Sequence, residues 1–233
     1  MIKKIDILGV SLDNYTVREA IMCVERYLSN QVLNTIESIS AQMLIESETD
    51  PILTETLGTL DLAVIGEKDI IQAGGFGTMQ RIRETEENDF YFEFFKRIER
   101  NKKSIFLLGD TQAKLAELQQ ELKKAFPRLI FAGEYAVENC VGDLEAVIND
   151  MNGTTPDVIV SILPSPLQEH FLAEHRDKMN ANIWYGIGGL PIHKKKHGFI
   201  DHLKSMVHRG KLKNIMNKYD ENIEEKNSNA ENN

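Results

Sequence analysis

Residues 156–189 read PDVIVSILPSPLQEHFLAEHRDKMNANIWYGIGG and combine two strand patterns with a helical pattern between them. The first strand pattern is the β-branched run from Asp157 to Leu163, and the second is Ile183-Trp184-Tyr185. Polar residues or glycines follow each run, namely Gln168-Glu169 and Gly186 to Gly189. In an open parallel sheet the carboxyl ends of the strands face a ligand crevice. We therefore predict a parallel sheet with a binding site at this edge.

The rest of the chain continues the alternation of short apolar runs with amphipathic helical patterns. Further strands are predicted for residues 5–10, 32–38, 62–65, 104–108 and 129–132. Thr16 to Glu19 forms a capping-box pattern at a helix start, and Asp110 is predicted to cap a later helix. Ala73 to Thr85 is predicted to be a long loop or a broken helix. This order predicts an α/β fold with a mostly parallel, Rossmann-like sheet and flanking helices.

The bulk composition narrows the class of protein. The chain has 233 residues and a formal net charge of −9, which disfavours nucleic acid as a partner. Cys23 and Cys140 are the only cysteines in the sequence, and no apolar run reaches the roughly 20 residues of a membrane span. A cytoplasmic location is therefore expected. Gly75 to Gln80 begins like a dinucleotide-binding motif but lacks its third glycine.

The chain is predicted to divide into three parts. Residues 1–190 form the α/β domain, residues 191–218 a basic helical appendage at its C-terminal end, and residues 219–233 a disordered acidic tail. Between Lys194 and Lys218, eight basic residues face one acidic residue, Asp201, around an apolar stripe at helical spacing. This pattern is typical of a helix that binds an anionic membrane surface. A helix packed on its own domain, with a solvated basic face, explains it equally well.

Four clusters of polar residues and glycines follow predicted strands and should converge at the carboxyl edge. They are Ser38 and Ser40; Gly66, Glu67 and Asp69; Gly109 and Asp110; and Gln168 and Glu169 with Gly186, Gly188 and Gly189. Helix N-termini at such an edge suit a phosphate or pyrophosphate group, although the glycines alone would also serve tight turns. The sequence has no metal-ligand spacing and no Asp-x-Asp motif, so no metal or other cofactor is expected.

Several motifs together resemble a known family. They are Ile7 to Thr16, Asp50-Pro51, Leu60 to Val64, Phe106 to Gly109, Pro156-Asp157, Gln168-Glu169 and Gly186 to Gly189. In these motifs the chain is similar to the WecG/TagA/CpsF family of bacterial glycosyltransferases, over nearly its whole length up to the basic segment. The resemblance implies transfer of an N-acetylhexosamine-type sugar from a UDP-sugar to a polyprenyl-diphosphate-linked acceptor in cell-envelope polysaccharide assembly. It also implies inversion, no metal, and a C-terminal appendage that touches the inner face of the cell membrane.

The resemblance also implies roles for residues. Gly66 stands where the family has a proposed catalytic aspartate, so Glu67 is the best base candidate and Asp69 the second. Arg83 would offset leaving-group charge beside Thr85, and Ser38 and Ser40 match a family Thr-x-Asn pair. Gly109 and Asp110 would contact the UDP-sugar, and Gln168, Glu169, Gly186, Gly188 and Gly189 would hold its nucleotide.

Two alternatives remain open at this point. One is a pseudoenzyme that binds a nucleotide sugar and acts through a partner enzyme, because the matching aspartate is absent. The other is a cytosolic enzyme of another class on the same type of sheet. The sequence does not decide whether the chain forms a homo-oligomer.

Overall fold

The structure is a computed structural model that describes residues 4–188, 210–219 and 221. Gly189, residues 191–209 of the predicted basic segment and the tail from residue 222 lie outside the described residues, as does the predicted domain boundary at residue 190.

Eight strands of the described residues form one sheet in the order β1-β2-β4-β3-β8-β7-β5-β6. Their bounds are β1 Lys4–Ile7, β2 Val10–Asp13, β3 Asn34–Ile39, β4 Leu62–Ile65, β5 Ser104–Gly109, β6 Ile130–Ala136, β7 Val158–Ser161 and β8 Ile183–Gly186. Every neighbouring pair is parallel except β1 and β2. The predicted mostly parallel α/β fold is therefore confirmed.

The N-terminal run is a hairpin. The single strand predicted for residues 5–10 is wrong, because Leu8 and Gly9 both have positive φ values, 56° and 79°, and turn the chain between β1 and β2. Positive φ at two successive residues is the geometry of a tight hairpin turn. The Gly9 N–H donates to Asp6 Oδ1 at 3.0 Å, which holds the turn.

Helices cover both faces of the sheet. Their bounds are α1 Val17–Tyr27, α2 Ala41–Ser47, α3 Pro51–Gly58, α4 Lys68–Ala73, α5 Met79–Glu86, α6 Asp89–Arg100, α7 Gln112–Ala125, α8 Glu145–Gly153 and α9 Leu167–His175. The buried side chains of α2, α3, α8 and α9 share one core cluster, and those of α1, α6 and α7 share the other. We call these two sides of the sheet the α9 face and the α6 face.

The stretch from Ala73 to Thr85 is a broken helix. Helix α4 ends at Ala73, and α5 begins at Met79 after a connection in which Gly75 and Gly77 have positive φ. The Thr78 hydroxyl accepts from the Arg81 N–H and caps α5. This break places α5 beside the carboxyl end of the sheet.

Residues 210–219 are helical and pack against the α9 face. Leu212 is fully buried in the core cluster of that face, and Ile215, Met216 and Tyr219 are packed against it. Lys211, Lys213 and Lys218 are exposed. This part of the predicted basic segment therefore has an apolar side on the domain and a basic side in solvent. Among the helices of the described residues, none is both long and apolar enough to cross a membrane.

Candidate active site

A crevice lies at the carboxyl ends of β3 and β4. The chain leaves β3 for α2 and β4 for α4, both on the α9 face, and after α4 it continues through α5 to α6 on the opposite face. Ligands of open α/β sheets bind in crevices outside the carboxyl ends of the strands. The Gly66 N–H donates to the Ile39 carbonyl at 2.9 Å, so the two strand ends lie side by side at this point.

A cavity that is open to solvent lies at this crevice, and its empty space, including the part open to solvent, is about 300 Å³. Its lining residues are Val17, Ser38, Val64, Ile65, Gly66, Arg81, Glu84, Thr85, Asn88 and Phe90. The strand ends of β3 and β4 form one wall, and residues of α5 and the start of α6 form the opposite wall. Because apolar and polar residues alternate around it, the cavity suits a small polar molecule with an apolar face.

Arg81 and Glu84 form a buried ion pair in the cavity wall. Arg81 Nη1 lies 3.1 Å from Glu84 Oε2, and the two residues are only 4% and 9% exposed. The same carboxylate oxygen accepts from the Val17 N–H at 3.3 Å, and Oε1 accepts from Gln80 Nε2 at 2.8 Å. Arg81 Nε is buried without a hydrogen-bond partner. The pair thus puts a fixed positive and a fixed negative group beside the space a ligand would occupy.

Ser38 and Phe90 complete the floor of the cavity through their contacts with Tyr185. The Ser38 Oγ lies 3.1 Å from the Tyr185 hydroxyl, and the Phe90 ring meets the Tyr185 ring edge-on with centroids 5.7 Å apart. Burial raises the pKa of Tyr185, so this hydroxyl stays protonated. The contacts fix the orientation of the Ser38 hydroxyl at the end of β3.

Three residues predicted from the sequence line this cavity. Four other predicted residues do not, namely Ser40, Glu67, Asp69 and Arg83. Ser38, Gly66 and Thr85 are lining residues. Arg83 is exposed on α5, and Arg81, which the sequence reasoning did not select, faces the cavity instead. Ser40 caps α2 by accepting from the Met43 N–H.

The two carboxylates predicted to supply the base also lie outside the cavity wall. Glu67 Oε2 accepts from the Ala41 N–H at 3.0 Å, at the start of α2. Asp69 is 7% exposed in the first turn of α4. Among the described residues that line the cavity, Glu84 is therefore the acidic one.

Gly109 and Asp110 lie at a different crevice, beyond β7. A Cβ atom on Gly109 would lie 2.8 Å from Leu115 Cδ2 and 3.1 Å from Ile162 Cγ1, so this glycine allows α7 to pack closely. Asp110 pairs with Lys114 at 2.5 Å. The prediction that Asp110 caps α7 is wrong, because the Thr111 hydroxyl accepts from the Lys114 N–H and fills that position.

Gln168, Glu169 and Gly186 lie together under the α9 face rather than in the cavity. Gln168 Nε2 donates to Glu169 Oε1 at 3.2 Å, and both side chains are buried. A Cβ atom on Gly186 would lie 2.5 Å from Gln168 Nε2 and 2.9 Å from Glu37 Cγ. Gly186 therefore lets the start of α9 approach β3 and β8. Gly188, with a φ of 61°, turns the chain just beyond.

Glu37 is a further member of this buried cluster that the sequence reasoning missed. Trp184 Nε1 donates to Glu37 Oε1 at 3.3 Å, and Glu37 has no exposed surface. Burial, followed by the neighbouring Glu169 carboxyl, raises the pKa of Glu37 well above its usual range, and burial also raises the pKa of Glu169. An ionisable residue in the middle of a predicted strand was the available signal.

Comparison with known proteins gives the family. Residues 5–191 match the model of the glycosyl transferase WecG/TagA/CpsF family. The chain is 24% identical over 194 residues to the N-acetylglucosaminyldiphosphoundecaprenol N-acetyl-beta-D-mannosaminyltransferases of Staphylococcus aureus strains NCTC 8325 and MRSA252, which covers 80% of this chain and 73% of each relative. The family match includes both the strands that form the cavity and the helix that carries Arg81 and Glu84. The chain therefore belongs to the WecG/TagA/CpsF family and is a glycosyltransferase.

Proposed function

We propose that the protein transfers an N-acetylhexosamine from a UDP-sugar to a polyprenyl-diphosphate-linked acceptor sugar, with inversion at the anomeric carbon. The family match and the names of the Staphylococcus aureus relatives support this reaction class, because those names specify a lipid-diphosphate N-acetylglucosamine acceptor and a β-linked product. This activity belongs to the assembly of a cell-envelope polysaccharide.

The observation that carries the proposal is the cavity at the carboxyl ends of β3 and β4. Phe90 offers an apolar surface, and Ser38, Thr85 and Asn88 offer polar groups for sugar hydroxyls and the acetamido group. The transferred sugar would occupy the cavity, with its diphosphate toward the open edge.

Arg81 would stabilise the departing UDP. Breaking the bond from the anomeric carbon to the diphosphate builds negative charge on the β-phosphate, and a fixed cation in a poorly solvated site lowers the energy of that state. Arg81 is buried beside the cavity and has an unused Nε–H donor. We therefore assign to Arg81 the role that the family resemblance implies for Arg83, and this protein group would do the work that a metal does in other transferases.

The nucleotide would lie near the turn after β8. Gly188 opens this turn at a positive φ, which leaves backbone N–H groups accessible without a side chain. Gln168 and Glu169 are buried, so their proposed part is to hold the ends of β3 and β8 beneath that turn rather than to touch solvent-exposed ligand.

The exposed lysines of residues 210–219 support a peripheral position on an anionic membrane. A lipid-linked acceptor has its diphosphate at the membrane surface, so an enzyme that uses it must approach that surface. Lys211, Lys213 and Lys218 are exposed while Leu212 holds this helix on the domain. The proposed location is the inner face of the cell membrane.

A direct transfer assay tests the proposed function. The purified protein is incubated with UDP-N-acetylmannosamine or UDP-N-acetylglucosamine and a polyprenyl-diphosphate-linked N-acetylglucosamine, with and without a chelator. We expect a lipid product heavier by one N-acetylhexosamine, release of UDP, inverted anomeric configuration and equal rates in the chelator. UDP binding without a lipid product from any donor would contradict the proposal, and loss of activity in the chelator would contradict the role given to Arg81.

A further inference from the structure

The cavity contains a carboxylate that no part of the reaction described so far uses. Among the described residues that line the cavity, Glu84 is the only acidic one. Gly66, on the strand side of the same cavity, has no side chain that could take a proton. Glycosyl transfer to a hydroxyl group requires a base within hydrogen-bond reach of that hydroxyl. Among the described residues that line the cavity, Glu84 is therefore the side chain that could accept the hydroxyl proton.

The contacts of Glu84 leave room for one more donor. Its two oxygens accept from Arg81 Nη1, the Val17 N–H and Gln80 Nε2. A carboxylate has about four lone-pair sites, so a fourth hydrogen bond from an acceptor hydroxyl can be added. An acceptor hydroxyl at that fourth site would donate its hydrogen bond to Glu84, which is the geometry from which a carboxylate takes a proton.

We infer that Glu84 is the general base of the transfer reaction. The acceptor hydroxyl oxygen forms a bond to the anomeric carbon as the bond from that carbon to the UDP oxygen breaks. The hydroxyl proton passes to a Glu84 carboxylate oxygen, and the electron pair of the broken bond leaves with UDP. This assignment rests on the proposed function.

The pairing of Glu84 with Arg81 couples the proton transfer to the departure of UDP. Before the reaction the negative charge of Glu84 offsets the positive charge of Arg81 at 3.1 Å. When Glu84 takes up the proton it becomes neutral, and the full charge of Arg81 acts on the β-phosphate. Proton uptake by Glu84 thus increases the net positive charge beside the β-phosphate while negative charge builds on the departing UDP.

The test compares Glu84→Gln with a matched variant, Glu86→Gln, in the transfer assay. Glu86 lies on the same helix and pairs with Lys68 outside the cavity. Removal of a general base typically costs about 100- to 10,000-fold in kcat. We expect a loss of this size in Glu84→Gln, with UDP affinity retained, and near-parental turnover in Glu86→Gln. Glutamine keeps one acceptor oxygen for the Val17 N–H, and its amide nitrogen can donate to Gln80 once the Gln80 amide turns its oxygen toward it. A thermal melt of each variant establishes that it is folded.

The pH profile separates a base from a structural residue. The parent should lose kcat at acidic pH as its base becomes protonated, and this acid limb should disappear from the residual activity of Glu84→Gln. Glu84→Asp, which keeps the charge but shortens the reach, should retain the limb at a reduced rate. Parental turnover in Glu84→Gln, an unchanged acid limb in that variant, or a selective loss in Glu67→Gln would overturn the assignment. A parent that makes no product would overturn the proposed function itself, so the two failures are distinguishable.

Discussion

Glu37 places an ionisable side chain in the middle of the sheet, where every position of β3 is buried. Its Oε2 and the Oε2 of Glu169 are both buried without a hydrogen-bond partner, and the ion pairs among the described residues include neither carboxyl. Burial, followed by the neighbouring Glu169 carboxyl, disfavours the charged form of Glu37 and raises its pKa well above its usual range. The pair therefore favours a state in which at least one carboxyl keeps its proton.

This acid pair predicts a specific dependence of stability on pH. A carboxyl whose pKa is raised on folding keeps its proton where the unfolded chain has lost it, so folding takes up a proton. The free energy of unfolding then decreases as the pH rises above the ordinary glutamate pKa, by up to about 1.4 kcal/mol per pH unit and per group, until the folded pKa is passed. Glu37→Gln is neutral at every pH and should flatten the decrease.

Urea unfolding of the parent and of Glu37→Gln measures this difference. The range from about pH 5 to about pH 8 lies above the glutamate pKa of the unfolded chain, where the decrease is expected. Glu48→Gln, at an exposed position after α2, is the control and should follow the parent. Other carboxyls with lowered pKa values, such as Asp157, contribute equally to all three proteins and cancel. Parallel curves for the parent and Glu37→Gln would refute the shared proton.

The sequence identified site residues only where the neighbouring positions in the chain were enough to place them. Ser38 and Gly66 end apolar strands, and the fold carries both to one crevice as predicted for residues in that position. The choice between Arg81 and Arg83 depends instead on the rotation of α5 about its axis, and one short helix with charged residues on all sides does not reveal it. Glu37 was missed because its partner, Glu169, is distant in sequence and meets it only in the folded sheet.

At the scale of single elements, apolar runs and caps predicted most of the helices and strands. The strand at residues 62–65 and the capping box at Thr16 are found where the sequence places them. The hairpin was hidden because Leu8 adopts a positive φ inside an apolar run, which no pattern of alternation shows. Asp50-Pro51 separates α2 from α3, and Asp50 caps α3.

The helix of residues 210–219 gives a prediction about membrane attachment. Lys211, Lys213 and Lys218 are exposed, and each basic residue near an anionic surface contributes about 1 kcal/mol. Their joint replacement by Gln should therefore lower partition onto vesicles containing phosphatidylglycerol by on the order of 100-fold, while Leu212 keeps the helix packed.

Vesicle co-sedimentation at low salt measures this partition. A control with Gln at Lys96, Lys102 and Lys124 changes the net charge by the same amount on helices and turns away from this segment. The control should sediment like the parent. Equal loss in both triple variants would show a general charge effect, and no sedimentation of the parent at any salt would contradict the membrane proposal.

At the scale of the whole molecule, the order of the strands separates two functions onto two faces. Ser38 and Glu37 are successive residues of β3, so their side chains point to opposite sides of the sheet. The α6 face carries the cavity, and the α9 face carries the acid pair of Glu37 and Glu169. The alternation of strands and helices predicts the α/β class, but it does not predict that β8 pairs between β3 and β7, because that pairing joins residues far apart in sequence.

Sugar transfer is proposed to take place in the cavity between β3, β4 and α5. Thr85→Trp fills this cavity from α5, whereas Glu86→Trp places the same ring at the next residue of the helix, which is exposed and does not line the cavity. The decisive measurement is kcat/KM for transfer to the lipid-linked acceptor in these two variants, with thermal melts to establish folding. A misplaced reacting group typically costs about 100-fold, so we expect at least that loss in Thr85→Trp and near-parental activity in Glu86→Trp. Full activity in a folded Thr85→Trp variant would contradict the location of the active site.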